Sequence, residues 1–305
     1  MKKAPLSVSI VIPNWNGAAL LRKNLPAVIA AANGAQIIVA DDASEDESVK
    51  LLADLFPEVS VVASSTRQGF SGNINNGVAN ATGDIIILLN TDVRPNKDFI
   101  PPLIARFSDP RVAAVGCLEE SHEPEGVVKR GRGIARWEKG FFVHSRGEVN
   151  ATDTAWVSGG SSAFRRSVWQ ELGGMDTVYN PFYWEDIDLS YQILKSGYTI
   201  MFEPKSVVGH YHEEGKIKTS FTPSDIKRIV YRNQFIFLWK NISDPSLWAV
   251  HCLWMPVRLA QALLRGDMLM LQGYGMVLPR LIDVYKSRNR ASVHWRRKDR
   301  EIFPY

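Results

Sequence analysis

Ile85-Ile86-Ile87-Leu88-Leu89-Asn90-Thr91-Asp92-Val93 is the stretch on which the reading of this chain turns. Five consecutive apolar residues fit a strand buried on both faces of a sheet. The run stops at Asn90 and Asp92, two oxygen-bearing side chains with one residue between them. Open α/β sheets bind ligands beyond the carboxyl ends of their strands. A carboxylate there suits a divalent cation and, through it, a diphosphate. Asn and Asp also end strands as plain turn residues, so the flanking sequence must decide between a turn and a site.

Upstream, residues 7–13 and 36–40 are β-rich and apolar, and each ends in a polar cluster, Asn14-Trp15-Asn16-Gly17 and Asp41-Asp42-Ala43-Ser44. Residues 18–32 carry Leu20, Leu21, Leu25, Val28 and Ile29 at helical spacing and stop at Asn33-Gly34. A second helix is predicted over 45–56, a third strand over 59–63, a loop over 69–73 and a short helix over 73–81. Strand and helix alternate with short connections, which predicts a doubly wound parallel sheet with right-handed crossovers. Three polar strand ends, at Asn14/Asn16, Asp41/Asp42 and Asn90/Asp92, then meet on one sheet edge, as a nucleotide site requires. Neither G-x-G-x-x-G nor a Walker A sequence is present, so side chains and a metal, rather than a glycine-rich cradle, are expected to hold the phosphates.

Downstream, a helix is predicted over 98–107, a strand over 112–118 and a long acceptor-side excursion over 121–150, which is polar, basic and glycine-rich. Residues 156–164 read as a strand broken by glycines, 165–172 as a helix, and 184–195 as a helix opened by Glu185, Asp186 and Asp188. Two short strands follow at 198–202 and 207–212, then a helix over 226–238.

The chain has 305 residues, 45% hydrophobic and 22% charged, an ordinary globular profile. A net charge of +4 is too mild to argue for nucleic acid. Basic residues concentrate between Lys286 and Arg300. Cys117 and Cys252 are far apart and form no disulfide framework or zinc pattern, which fits a reducing cytoplasm. The basic start Met1-Lys2-Lys3 is followed by too short an apolar run for a signal peptide. Residues 248–264 come closest to a membrane span, but Pro256 and Arg258 interrupt them.

Taken in order, Pro13-Asn14-Trp15-Asn16, Asp41-Asp42-Ala43-Ser44, Gly69-Phe70-Ser71-Gly72-Asn73 with Asn76, Leu88-Leu89-Asn90-Thr91-Asp92, Ser158-Gly159-Gly160 with Arg165-Arg166, Gly173-Gly174-Met175-Asp176 and Trp184-Glu185-Asp186-Ile187-Asp188-Leu189 resemble the family 2 glycosyltransferases. The match runs from about Val8 to His212 and is nearest to the bacterial branch containing rhamnosyltransferases. It departs from the family in having Asn90 as the first residue of the Asp-x-Asp element and Met175 where Phe is usual. The resemblance implies an α/β GT-A fold, a mostly parallel Rossmann-like sheet flanked by helices. It implies a catalytic domain over 1–220, with a donor half to about 118 and an acceptor half from 119, and leaves a helical extension over 221–305.

The implied reaction is inverting transfer of a sugar from a dTDP- or UDP-linked donor to a hydroxyl of a carbohydrate or lipid-linked glycan acceptor, in surface polysaccharide synthesis. Galactofuranose, galactose, glucose or GlcNAc transfer is the alternative within the fold; a non-catalytic sugar-nucleotide-binding protein is the alternative outside it. Asp92 and His210 are the implied ligands of Mg²⁺ or Mn²⁺, with His212 a weaker candidate. Asp186 is the implied general base, with Glu185 and Asp188 assisting. Pro13, Trp15, Asn16, Asp42, Asn73, Asn76, Asn90 and Asp92 are expected on the donor, with Trp15 stacked on its base and Arg67 facing phosphate. Tryptophans interleaved with basic residues beyond 239 suggest peripheral contact with the inner face of the plasma membrane.

Overall fold

The computed structural model describes residues 5–211 and 220–302; His212 and Met1 to Ala4 lie outside them. Its centre is a nine-stranded sheet. The strands are β1 (Val8–Asn14), β2 (Gln36–Asp41), β3 (Ser60–Ala63), β4 (Ile85–Leu89), β5 (Val93–Pro95), β6 (Val112–Glu123), β7 (Gly126–Arg130), β10 (Ser161–Arg165) and β11 (Thr199–His210). They run in the order β3-β2-β1-β4-β10-β6-β11-β5, with β7 against β6. A separate hairpin pairs β8 (Gly133–Glu138) with β9 (Phe141–Arg146). The helices are α1 (Ala18–Ala31), α2 (Ser48–Leu55), α3 (Gly69–Ala79), α4 (Ile100–Arg106), α5 (Arg166–Leu172), α6 (Glu185–Lys195), α7 (Pro223–Asn241), α8 (Pro245–Leu264), α9 (Met268–Val277) and α10 (Leu281–Ser292).

β4 is fully buried, as its apolar run requires. Side chains alternate across a strand, so Ile85, Ile87 and Leu89 join one core with Ile10 and Leu21, while Ile86 and Leu88 join another with Val11 and Ile74. β3, β2, β1 and β4 are mutually parallel. Beyond β4 the expected parallel order gives way to a mixed sheet. β10 enters antiparallel to both β4 and β6, and β5 is antiparallel to β11. The 121–150 segment is no loop excursion: it forms β7 and the β8-β9 hairpin, which the sequence hid because β7 is exposed and lacks alternation. In place of the two expected short strands there is one, β11 over Thr199–His210, with a register shift between Glu203 and Val207, where Pro204 interrupts the ladder.

Two predicted helix starts also move, for one reason. α3 begins at Gly69, within the expected loop, because the Asp42 carboxylate accepts the Gln68 and Gly69 amide N–H groups at 2.6 and 3.1 Å. α2 begins at Ser48 because Asp46 accepts its N–H at 3.0 Å. Both caps come from side chains outside the helix proper and satisfy otherwise orphaned donors.

A third core joins the acceptor side to the C-terminal helices: Phe141, Phe142, Tyr179, Trp184, Ile187 and Tyr191 pack with Phe235, Ile236, Phe237, Leu247 and Val284. Ion pairs lock it. Lys195 Nζ on α6 lies 2.6 Å from Asp299 Oδ1 and 2.6 Å from the Asn241 carbonyl, and both charged side chains are fully buried. Burial pulls the lysine down to about 8 against the opposing pull of Asp299. Removing one member of such a pair strands a buried charge, so Lys195→Met should lower unfolding free energy by about 3–5 kcal/mol. Urea denaturation checks this, with the double variant Lys195→Met/Asp299→Asn expected to recover part of the loss.

Candidate active site

The carboxyl ends of β1, β2 and β4 meet on one sheet edge beside a cavity of about 340 Å³. Because β10 is antiparallel, its entry loop Ser158-Gly159-Gly160 arrives at the same edge, as do Glu119 of β6 and His210 of β11. Pro13, Trp15, Asp42, Asn73, Asn90, Asp92, Glu185, Asp186 and His210 all line this cavity.

On the donor side, the Asn90 N–H donates to the Gly160 carbonyl at 3.0 Å, and a side chain at position 160 would strike the Asn90 amide. Asp92 is 7% exposed; its Oδ1 accepts no hydrogen bond from the described residues and lies 3.4 Å from His210 Nε2. The other imidazole nitrogen lies 3.4 Å from Glu119 Oε2, and Ser161 Oγ donates to the same glutamate. Burial opposes the imidazolium, but Asp92 and Glu119 outweigh it and lift His210 to about 9. Glu119 is absent from the sequence-based candidates. Its signal was available: Glu119-Glu120 follows the apolar 112–118 strand, repeating the polar-end pattern of the other three strands.

Trp15 and Arg67 are in contact, with the guanidinium 3.5 Å above the indole and its Nε 3.0 Å from Asp42 Oδ2. Arg67 therefore covers Trp15 and pairs with Asp42. Asn73 lines the cavity, but its Nδ2 donates to the Ala40 carbonyl at 2.8 Å and so ties α3 to the end of β2.

Three sequence-based candidates lie away from the cavity lining. Asn16 sits at φ 49° and accepts the Glu45 N–H at 2.7 Å, a turn function. Asn76 donates to Ser64 Oγ at 3.2 Å. Asp188 points to the opposite side of α6, where Lys240 Nζ, Asn241 Nδ2 and the Tyr179 hydroxyl meet it at 2.6, 2.7 and 2.8 Å. Helical geometry explains the split: residues two apart on a helix do not share a face.

On the acceptor side, α6 starts from two consecutive left-handed residues, Tyr183 at φ 69° and Trp184 at φ 78°. Non-glycine residues hold that conformation at a cost of about 1–3 kcal/mol each, and only when their surroundings enforce it. α7 does so. Buried Asn233 Nδ2 donates to the carbonyls of Tyr179, Phe182 and Tyr183 at 2.9, 3.0 and 2.8 Å. Arg232 donates to the Tyr179 and Asn180 carbonyls at 3.0 and 2.5 Å. The turn delivers Glu185 and Asp186 into the cavity. Asp186 Oδ2 accepts the Gly159 N–H at 3.1 Å and Oδ1 accepts the Ile187 N–H at 2.8 Å.

Burial raises both carboxyls, and the two oppose each other's ionisation. Glu185 is pushed up to about 8 by burial and by the charge of Asp186. Burial also raises Asp186, against the pull of the two N–H groups. Glu185 therefore keeps its proton at neutral pH, and of the two carboxyls Asp186 is the one that accepts backbone N–H groups from both Gly159 and Ile187. An acid raised in the folded state contributes stability below its unfolded pKa and loses it as pH rises through the folded value. Glu185→Gln should therefore raise Tm relative to wild type more at pH 9 than at pH 6, as read by calorimetry on the free protein.

The Glycosyl transferase family 2 profile matches residues 9–173. The pre-mycofactocin glycosyltransferase of Mycobacterium tuberculosis is 27% identical over 219 residues, covering 67% of this chain and 43% of its own length. The O-antigen chain rhamnosyltransferase RfbN of Salmonella typhimurium is 26% identical over 213 residues, 68% of this chain and 67% of that protein. This chain thus spans less than half of the first relative and about two thirds of the second. Among solved structures, GalNAc-T7 with UDP, GalNAc and Mn²⁺ superposes with a TM-score of 0.62 at 21% identity, over 78% of this chain and 48% of that one. That likeness establishes the GT-A fold. With the profile covering more than half its length, the chain belongs to glycosyl transferase family 2.

Proposed function

We propose that this chain is an inverting glycosyltransferase, rhamnosyltransferase-like, that moves a sugar from a dTDP- or UDP-linked donor to a glycan hydroxyl at the cytoplasmic face of the plasma membrane, with a lipid-linked surface polysaccharide as acceptor. One observation carries the reading: the Asp92–His210 corner and the Glu185–Asp186 pair open into a single cavity.

The metal reading rests on Asp92 Oδ1, a buried carboxylate oxygen without a hydrogen bond from the described residues, and on His210 Nε2 beside it. No three His, Cys, Asp or Glu side chains converge as a full cage among the described residues. Mg²⁺ and Mn²⁺ sites of this kind use one or two protein ligands and complete the shell with substrate phosphates and water. Asp92 and His210 would hold the ion, the imidazole giving up its Nε2 proton to do so, and Glu119 would orient the ring from its far side. When bound, the ion supplies Lewis-acid stabilisation of the leaving diphosphate.

The chain's own residues do the rest. Asp186, acting as its carboxylate, takes the acceptor hydroxyl proton. The freed oxygen bonds to the anomeric carbon, the bond from that carbon to the diphosphate oxygen breaks, and the electron pair leaves with the nucleoside diphosphate. The Gly159 N–H fixes the Asp186 carboxylate for this task. Asp42 with Arg67 and Trp15 forms the end of the cavity suited to the base and ribose.

The test is a panel of dTDP- and UDP-sugars with Mg²⁺ or Mn²⁺, read by mass spectrometry of the products. At least one donor should be transferred. Asp186→Asn should lose about 10²–10⁴-fold in turnover while binding donor normally by calorimetry, whereas Asp92→Ala should lose metal-dependent donor binding. An inert panel, or full activity in Asp186→Asn, contradicts the reading.

A further inference from the structure

α8 is built inside out. It is 20 residues long and continues through Pro256, and by length and composition it is the one described helix that could cross a membrane. Every exposed position between 249 and 264 is apolar, and these positions recur at helical spacing as one stripe. Leu253, Leu263 and Leu264 are 71%, 62% and 87% exposed. The helix's polar groups turn the other way. His251 is buried, with Nδ1 2.7 Å from the Gly140 carbonyl and Nε2 accepting from Trp239 Nε1 at 3.1 Å, while Arg258 lies 5.6 Å from the Phe141 ring. A surface helix facing water shows the reverse arrangement.

The inward face is tied along the helix's length, by Leu247 near its start, His251 and then Ala262 near its end, all buried. It therefore lies against the protein rather than projecting from it. Two features that follow in the chain repeat the chemistry. Arg265 follows the stripe directly, and α10 exposes Ile282, Tyr285, Lys286 and Arg290. From 245 to 302 there are ten Lys and Arg against four Asp and Glu, whereas the whole chain is only +4.

We infer that the apolar face of α8, with Arg265 at its end and a basic segment following it in the chain, lies in the plane of an anionic lipid bilayer surface. Leu253 and Leu264 enter the acyl boundary and Arg265, Lys286 and Arg290 meet lipid phosphates. Charge selects this occupant over a second copy of the chain, because self-association through this segment would oppose two basic surfaces. The inference deepens the lipid-linked acceptor proposed above and rests on it: a protein docked through α8 meets its acceptor on the membrane that holds it.

Co-sedimentation of the full chain with vesicles tests this. Wild type should bind phosphatidylcholine vesicles containing a quarter phosphatidylglycerol, bind pure phosphatidylcholine poorly, and come off in high salt. Leu253→Glu/Leu264→Glu should reduce binding by about tenfold or more, with an unchanged circular dichroism spectrum and unchanged hydrolysis of free donor. Wild type that ignores anionic vesicles, or a variant that binds them equally well, overturns the inference. So does a wild-type dimer in analytical ultracentrifugation that the double variant converts to monomer. Donor hydrolysis is scored separately, so loss of vesicle binding with hydrolysis intact leaves the glycosyltransferase reading standing.

Discussion

The amide of Asn233 holds the turn that opens α6 in place. It spreads two N–H donors over the carbonyls of Tyr179, Phe182 and Tyr183, and the turn it grips contains two side-chain-bearing residues in left-handed conformation. Such a turn relaxes if its carbonyls are left unpaired in the interior. Asn233 belongs to α7, outside the matched family region of 9–173. The C-terminal helices are thus structural partners of α6: Arg232 grips the same turn, Lys240 pairs with Asp188 and Asp176, and Asp299 pairs with Lys195. Each contact fixes the helix whose first residues are Glu185 and Asp186.

The same arrangement divides labour among four crowded acidic groups. Asp188 and Asp176 face Lys240, whose charge offsets the burial of Asp176 and holds it down to about 2. Among the described residues no cation pairs with Glu185 or Asp186 where they face the cavity, and burial raises both. One turn of helix therefore presents Asp188 to Lys240 on the α7 side and the Glu185–Asp186 pair to the cavity; burial raises Asp188 as well, against the pull of Lys240.

Much of the donor half was legible in the sequence. The buried run 85–89, the polar strand ends and the short connections are local signals, and they gave β1 to β4 and the Asp42, Asn90 and Asp92 corner. What was not legible depends on distant contacts. The start of α3 is set by a carboxylate 27 residues earlier. β10 is antiparallel because it slots between β4 and β6, and the β8-β9 hairpin is held by Phe141 and Phe142 in a core shared with α7. Asp188 and Asp186 read alike in the string Glu-Asp-Ile-Asp; only the helix phase and Lys240 separate them. The inverted stripe of α8 depends on which face its neighbours cover, a fact with no trace in the order of its residues.

The proposed donor corner and acceptor base open into one cavity, with Asp92 as the proposed metal ligand. A crystal structure with Mn²⁺ and a nucleoside diphosphate, recorded at the manganese absorption edge, tests it most directly. The expected result is one anomalous peak at the Asp92 carboxylate and His210 Nε2, with Asp186 free of metal. A peak on Glu185 and Asp186, or a nucleotide bound outside this cavity, would contradict it.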